Sequence, residues 1–343
     1  MNVDIINPTT YPHWDDLLLT HPETTFFQTA AWARVLSETY GYRPLYFTLV
    51  EDGCLAGLIA MMEVNSPLTG KRGVSLPFTD ECQPVSKNSE YFSACMDAVL
   101  TLGHKAGWEY IQIRGGQGHL IRAASNCQYY AHVLDLSPEV SQIFKGFKGS
   151  VKRNIKRAQR EEIRVEMSNT SDAIETFWRL NCLTRKKHGL PPQPIQFFRN
   201  IYKHAIKKGK GLVALAFHGM KAVAGAVYFR WNRKAVYKYG ASDSKYLDLR
   251  PNNLVMWEAI RRHVETGCRS LDFGRTEREN AGLMQFKRGW GADERELHYF
   301  AYDLRKNRYV EAASGPKSSY FLFRHLPIPV LRLAGNLLYK HVG

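Results

Sequence analysis

Two stretches of the chain carry the same layout of apolar and polar positions. "LYFTLVEDGCLAGLIAMMEV", from Leu45, reads as a strand, a tight polar turn at Asp52-Gly53 and a second strand with an Ala-Gly step. "LVALAFHGMKAVAGAVYFRW", from Leu212, repeats that plan with a turn at His218-Gly219 and an Ala-x-Ala-Gly step. Each is followed by another strand, a helix and a closing strand. The closing pieces are "AGWEYIQIRG", from Ala106, and "TGCRSLDFGR", from Thr266. A duplicated unit of this length predicts two like domains, with a site in a cleft within or between them.

The remaining pattern fills in around these units. A first strand is expected near Val3–Ile6, and a helix capped by Thr29 carries Trp32, Val35, Leu36 and Tyr40 on one face. Phe92, Cys95, Val99 and Leu102 line a helix from Glu90 to Lys105. Ser137-Pro138-Glu139 reads as a helix start, which sets the domain boundary there. Phe147, Val151, Ile155 and Ala158 then form an apolar stripe beside a basic one of Lys148, Lys152, Lys156 and Arg160, with Arg153, Arg157 and Arg164 flanking. Helices are expected at Asp172–Lys187, Ile195–Lys208 and Asn252–Val264, strands at Gly211–Asn232, at "KAVYKYGASD" and at Ser270–Phe273. The order is α+β, with mostly antiparallel mixed sheets flanked by helices, not the alternation of a parallel sheet. It divides the chain into residues 1–138, 139–310 and a basic amphipathic tail, 311–343.

Composition supports a chain with real cores: 343 residues, 44% of them hydrophobic. Lys and Arg number 47 against 32 Asp and Glu, a net charge of +15. That balance favours a polyanionic partner such as RNA, nucleotide or lipid phosphates, or an anionic membrane; the plainer reading is a basic surface that serves solubility. Six cysteines without C-x-x-C pairs or His at metal spacing argue against zinc and for reduced thiols. The N-terminus has no secretory pattern and no apolar run spans a bilayer, so a cytoplasmic protein is expected. The tail, with Arg324, Arg332 and Lys340 among Phe and Leu and broken by Pro327 and Pro329, is suited either to packing on the second domain or to lying on the inner face of a membrane.

An ordered set of strings then resembles one family. "FFQTAAWARVL", "LPFTDECQPV", "VKRNIKRAQREEIRVE" and the run from "YKYGASD" through "LDFGRTERENAGLMQFKRGWGA" look like FemAB-type (FemABX-like) proteins. The most specific pieces are Arg153–Ala158 and Asp272–Ala292. The resemblance implies two tandem GNAT-like folds (acyl-CoA N-acyltransferase-like). It also implies an acyl- or aminoacyltransferase working on an amine of a peptidoglycan or exopolysaccharide precursor. The long coiled-coil arm of some bridge-forming members has no counterpart here.

Transfer of an acyl group to an amine requires two reactants held together, a proton removed and an oxyanion stabilised. The resemblance places the site where two neighbouring strands part, between "KAVYKYGASD" and "SLDFGRT". Within it Lys287, between Phe286 and Trp290, is the first candidate for meeting a phosphate or oxyanion, against a lysine merely lying beside aromatics. Arg275 and Arg288 suit donor phosphates. Asp272 suits a base, though a strand-end Asp more often caps a turn. Tyr239 suits polarising the carbonyl, though alternating Tyr usually packs. Arg185 and Lys187 match a helix end that grips acceptor phosphates in relatives; Arg34 is their first-domain counterpart. Asp80, with Glu81, suits orienting the acceptor amine, and Trp290 completes the substrate-binding set. No metal and no tightly bound cofactor are expected. The donor is an aminoacyl-tRNA or an acyl-CoA, and the weak "RGGQGHL" loop does not favour simple acetyl-CoA. Two other readings stay open: an acyl-CoA-dependent N-acyltransferase for a small amine or polysaccharide, and a non-catalytic basic module for RNA or membrane.

Overall fold

A computed structural model describes residues 2–121, 123–311 and 321–343. The chain opens with β1 (Asp4–Ile6), α1 (Trp14–Leu19), α2 (Ala30–Tyr40), β2 (Arg43–Glu51), β3 (Cys54–Ser66) and β4 (Gly70–Val74). There follow β5 (Val85–Ser86), α3 (Ser89–Ala106), β6 (Tyr110–Arg114), β7 (Cys127–Asp135), α4 (Val140–Gly146) and α5 (Gly149–Arg160). Next come β8 (Arg164–Ser168), α6 (Ser171–Lys187), α7 (Ile195–Ile201), β9 (Gly211–His218), β10 (Lys221–Trp231) and β11 (Lys234–Ser242). The chain ends with α8 (Pro251–Glu265), β12 (Ser270–Glu277), α9 (Ala281–Arg288), β13 (Asp293–Asp303), β14 (Arg308–Val310), α10 (Phe321–His325) and α11 (Ile328–Val342).

The chain forms two compact units. In the first, β1, β2, β3, β4 and β6 lie side by side, antiparallel except for the parallel β4–β6 pair. α3 covers this sheet because Phe92, Cys95, Met96 and Val99 share one helix face; they bury against Phe47, Ile59, Met61 and Ile111. The predicted cap of α2 is present, the Thr29 hydroxyl accepting from the Trp32 N–H at 3.4 Å.

The second unit repeats the plan: β8, β9, β10 and β11 are antiparallel neighbours, and β11 pairs parallel with β12. Its core joins Ile155 and Ala158 of α5, Leu254, Ala259 and Ile260 of α8, and Ala224 and Tyr228 of β10. The apolar stripe of α5 is therefore structural, as its spacing predicts.

Two sequence expectations are corrected. The helix of the basic stripe ends at Arg160, and Glu162, at φ 55°, turns the chain so that Arg164 begins β8. The units also do not divide at residue 138, and the span 139–310 is not one body. The first unit holds residues 2–129 and reclaims 296–311 and 338–343; the second holds 130–295 and 321–337. Strand pairing is the cause: Tyr299–Asp303 pair antiparallel with Tyr110–Arg114 to close the first unit, and β7 lies next to β12 in the second. Each unit is closed by a strand that sequence proximity assigns elsewhere. Part of the tail, residues 312–320, lies outside the described residues. Its visible part packs: Leu331 is buried, and Arg332 sits 4.4 Å over the ring of Trp178 in the second unit. In the first, the Tyr42 hydroxyl donates to the Lys340 carbonyl at 3.1 Å and Arg72 to that of Gly343 at 2.7 Å. No helix among the described residues is long and apolar enough to cross a membrane.

Candidate functional site

In the second unit β11 and β12 pair over three rungs only: Lys234 with Ser270, Ala235 with Leu271, Val236 with Asp272. β11 continues on β10 as far as Ser242, while β12 leaves it. The departure has a local cause. Gly274 has φ 70°, a left-handed conformation that glycine adopts without a Cβ penalty. Its N–H is bound by the Asp272 carboxylate at 2.7 Å. Asp272 thus caps the kink, which is the plainer of its two sequence readings.

Lys287 secures the kink from the other side. It projects from the last turn of α9, whose start is capped by Asn280. Its ammonium donates to the Gly274 carbonyl at 2.7 Å and the Arg275 carbonyl at 3.0 Å. The residue is 2% exposed. An ammonium so buried must be surrounded by acceptors, and the two carbonyls supply them. Lys287 is therefore not a surface lysine lying beside aromatic rings.

Next to it stands a group that the sequence reading missed. His132 on β7 is fully buried, and its Nε2 lies 2.9 Å from the Glu294 carboxylate. Glu294 in turn accepts both arms of Arg288, at 2.7 and 2.6 Å. Burial, and then the Lys287 ammonium, push the His132 pKa below its ordinary value, so the ring is held neutral. The Arg288 fork keeps the Glu294 carboxyl below the usual range. The available signal was a histidine at an inward position of the alternating "QYYAHVL".

On β11, Tyr237 is half-buried, and the desolvation of its phenol pushes the pKa up to about 12. A Cβ at Gly240 would overlap the Tyr237 hydroxyl, so that glycine permits the tyrosine's placement. Tyr239 packs edge-on against Phe197 and Phe198. α6 braces the end of the strand: the Thr184 hydroxyl accepts from the Ser242 N–H at 2.9 Å. Beyond it the Asp243 side chain caps a short turn, and Pro251 opens α8.

The structure brings Lys287, Asp272 and Arg275 together at the kink. Two expectations for substrate binding change. Trp290 is fully buried, with Phe147 and Phe286 against its ring at 5.0 and 5.9 Å, and belongs to the core. The fork of Arg288 is occupied by Glu294 instead of standing free for a phosphate. Arg185 donates to the Pro191 carbonyl at 3.3 Å, and Lys187 is exposed at the end of α6. Arg34 and Asp80 lie in the first unit: Arg34 donates to the Thr9 carbonyl at 2.8 Å, and the Asp80 carbonyl accepts from the Tyr299 hydroxyl.

Comparison with known proteins bears on the domain and the fold. Residues 145–288 match the family model described as an acetyltransferase (GNAT) domain. A 94-residue stretch is 36% identical to the Lipid II:glycine glycyltransferases of Staphylococcus haemolyticus (strain JCSC1435) and Staphylococcus epidermidis. That stretch is 25% of this chain and spans 22% and 23% of those relatives' lengths. Among solved structures, FemX superposes with a TM-score of 0.70 at 16% identity, covering 87% of this chain and 97% of FemX. A tandem GNAT protein from the clavulanic acid biosynthesis pathway superposes at 0.54 and 9% identity, over 88% and 99%. Residues 145–288 therefore carry a GNAT domain, the kinked strand lies within it, and the chain as a whole has a fold similar to that of FemX.

Proposed function

We propose that the protein transfers an activated aminoacyl group to an amine of a lipid II-type cell-envelope precursor. The new bond joins the acceptor nitrogen to the acyl carbon; the bond from that carbon to the donor's oxygen breaks, and the proton lost by the amine ends on that oxygen, which leaves as a free hydroxyl. The observation that carries this reading is the three-rung β11–β12 pair, which ends at a kink held by a buried lysine. Beyond the last rung, at Val236 and Asp272, β11 has no ladder to β12, and the gap between the two strands is where this reading seats the donor's carbonyl. Lys287 and Asp272 fix that edge, Tyr239 lines the β11 side, and Arg275 offers a guanidinium to donor phosphate.

The donor in this reading is an aminoacyl-tRNA; acyl-CoA is the alternative, and neither is a tightly held cofactor. Arg185 and Lys187 suit the acceptor's phosphate. Contact with the membrane that carries such an acceptor is supported by α11, where Leu333 and Leu337 are 60% and 57% exposed on a helix whose last turn carries Lys340 and His341. The test is incubation of the full chain with charged tRNA, or with acyl-CoA, and lipid II in vesicles, read by mass spectrometry of the acceptor. A mass increase of one aminoacyl group supports the reading. Failure to consume either donor, with lipid II or with its water-soluble precursor, overturns it.

A further inference from the structure

The second unit contains a separate cavity that the acyl-transfer reading does not use. It measures about 310 Å³ and is lined by Ser168 and Asn169 after β8, Arg230 of β10, and Arg262, His263 and Thr266 at the C-terminal end of α8. The strands that part lie before the other end of this helix. At 15 residues α8 is roughly 22 Å long, which separates the two regions.

Three observations give the cavity a chemical character. Arg230 and Arg262 both line it, and none of its described lining residues is acidic; Glu265 approaches Arg262 from outside, at 3.7 Å. His263 is 2% exposed, and its Nε2 has no hydrogen-bond partner among the described residues. The ring's other nitrogen faces the Cys268 sulfur at 3.9 Å, and Tyr228 packs edge-on against it. A polar nitrogen kept this far from water is costly unless a ligand completes it. Burial, aided by Arg230 and Arg262, pushes the His263 pKa down to about 4. The imidazole is therefore a neutral hydrogen-bonding group beneath two fixed positive charges.

Two guanidinium forks with hydroxyl, amide and imidazole groups around them match the oxygens of a phosphate. The volume leaves room for a small organic group attached to it. We infer that this cavity binds the phosphate group of a small phosphomonoester, at a site distinct from the acyl-transfer region. Lysine would serve less well at either position, because the recognition uses the planar fork.

The inference is tested by calorimetric titration of the full chain with inorganic phosphate and, separately, with glucose 6-phosphate. Saturable binding is expected, with Arg230→Ala and Arg262→Ala each weakening it by about tenfold or more. Both arginines are on the surface, and circular dichroism checks that the variants fold. Tighter binding of the ester means that the organic group is also read; equal binding means that phosphate alone is. The His263 imidazole nitrogen resonances of the unmodified chain should shift during the same titration. No saturation by either probe up to tens of millimolar overturns the inference, as does unchanged binding in both arginine variants. Loss of binding on Arg275→Ala alone also overturns it, because the phosphate would then sit at the kinked strand. None of these outcomes depends on whether transfer activity is found.

Discussion

The two units part their strands in the same way and then treat the gap differently. In the first, β4 and β6 pair parallel through Arg72–Tyr110, Gly73–Ile111 and Val74–Gln112, and then separate. The chain itself fills that separation. After β4 it turns through Leu76 and Phe78, at φ 52° and 61°, and returns so that the Cys82 N–H donates to the Arg114 carbonyl at 2.9 Å. The Ser75 hydroxyl accepts from the Arg114 N–H at 2.8 Å, and the Arg114 guanidinium binds the carbonyls of Leu76 and Thr79 at 3.2 and 3.1 Å. In the second unit, β11 and β12 also part after three rungs, but the departing strand is held from behind by Lys287. The same topology becomes structural scaffold where a returning loop bridges the parted strands, and a candidate site where β11 and β12 part beside a kink held by a lysine.

The largest effect is expected at Lys287. Lys287→Met leaves the carbonyls of Gly274 and Arg275 without their donor and should cost about 2 kcal/mol in urea denaturation. Transfer should fall by about a hundredfold in molecules that remain folded, because the kink loses its geometry. Lys287→Arg should not restore it, since the buried space fits a compact ammonium. Unchanged transfer by a folded Lys287→Met protein would break the contrast between the units.

A smaller effect, confined to stability, is expected from the matching intervention in the first unit. Arg114→Met removes the bonds to the Leu76 and Thr79 carbonyls and to the Gln112 side chain. About 2 kcal/mol of stability should be lost. Hydrogen exchange should quicken across residues 75–83, with the transfer rate per folded molecule unchanged. A fall in that rate would locate chemistry in the first unit, where Asp80 sits on the same loop, and would erase the distinction drawn here.

The sequence revealed the parts of this contrast that are local. Both hairpins, the Thr29 cap, the apolar face of α3 and the apolar stripe of α5 are written in spacing and turn residues, and the structure contains them. The features it did not reveal depend on partners far along the chain. The strand of β13 that closes the first unit pairs across almost two hundred residues, and no local pattern encodes such a register. Lys287 was singled out by resemblance, but its burial against carbonyls 12 and 13 residues earlier is a tertiary fact. Trp290 misled for the same reason, since an aromatic beside a functional lysine reads alike whether it faces a ligand or Phe147. Arg288 looked like a free cation until Glu294 was placed beside it.

The smallest expected effect is a pH dependence, and it tests whether Lys287 and His132 act as one cluster. His132 is held neutral by burial and by the Lys287 ammonium, so its folded-state pKa lies below the ordinary value of 6.5. The unfolded chain therefore binds a proton that the folded chain resists. Stability from this group is fully present above pH 6.5 and is lost as pH falls from there towards the lowered value. His132→Gln keeps a hydrogen bond to Glu294 available and does not titrate. It should flatten that part of the stability–pH curve, with a smaller change at pH 7.5 than either substitution above. Lys287→Met in the chain that keeps His132 should raise the histidine's folded-state pKa towards 6.5, so that the loss of stability ends at a higher pH and is smaller. If the limb stays where it is, His132 and Lys287 are not electrostatically coupled, and the buried cluster beside the kink is two independent structural features.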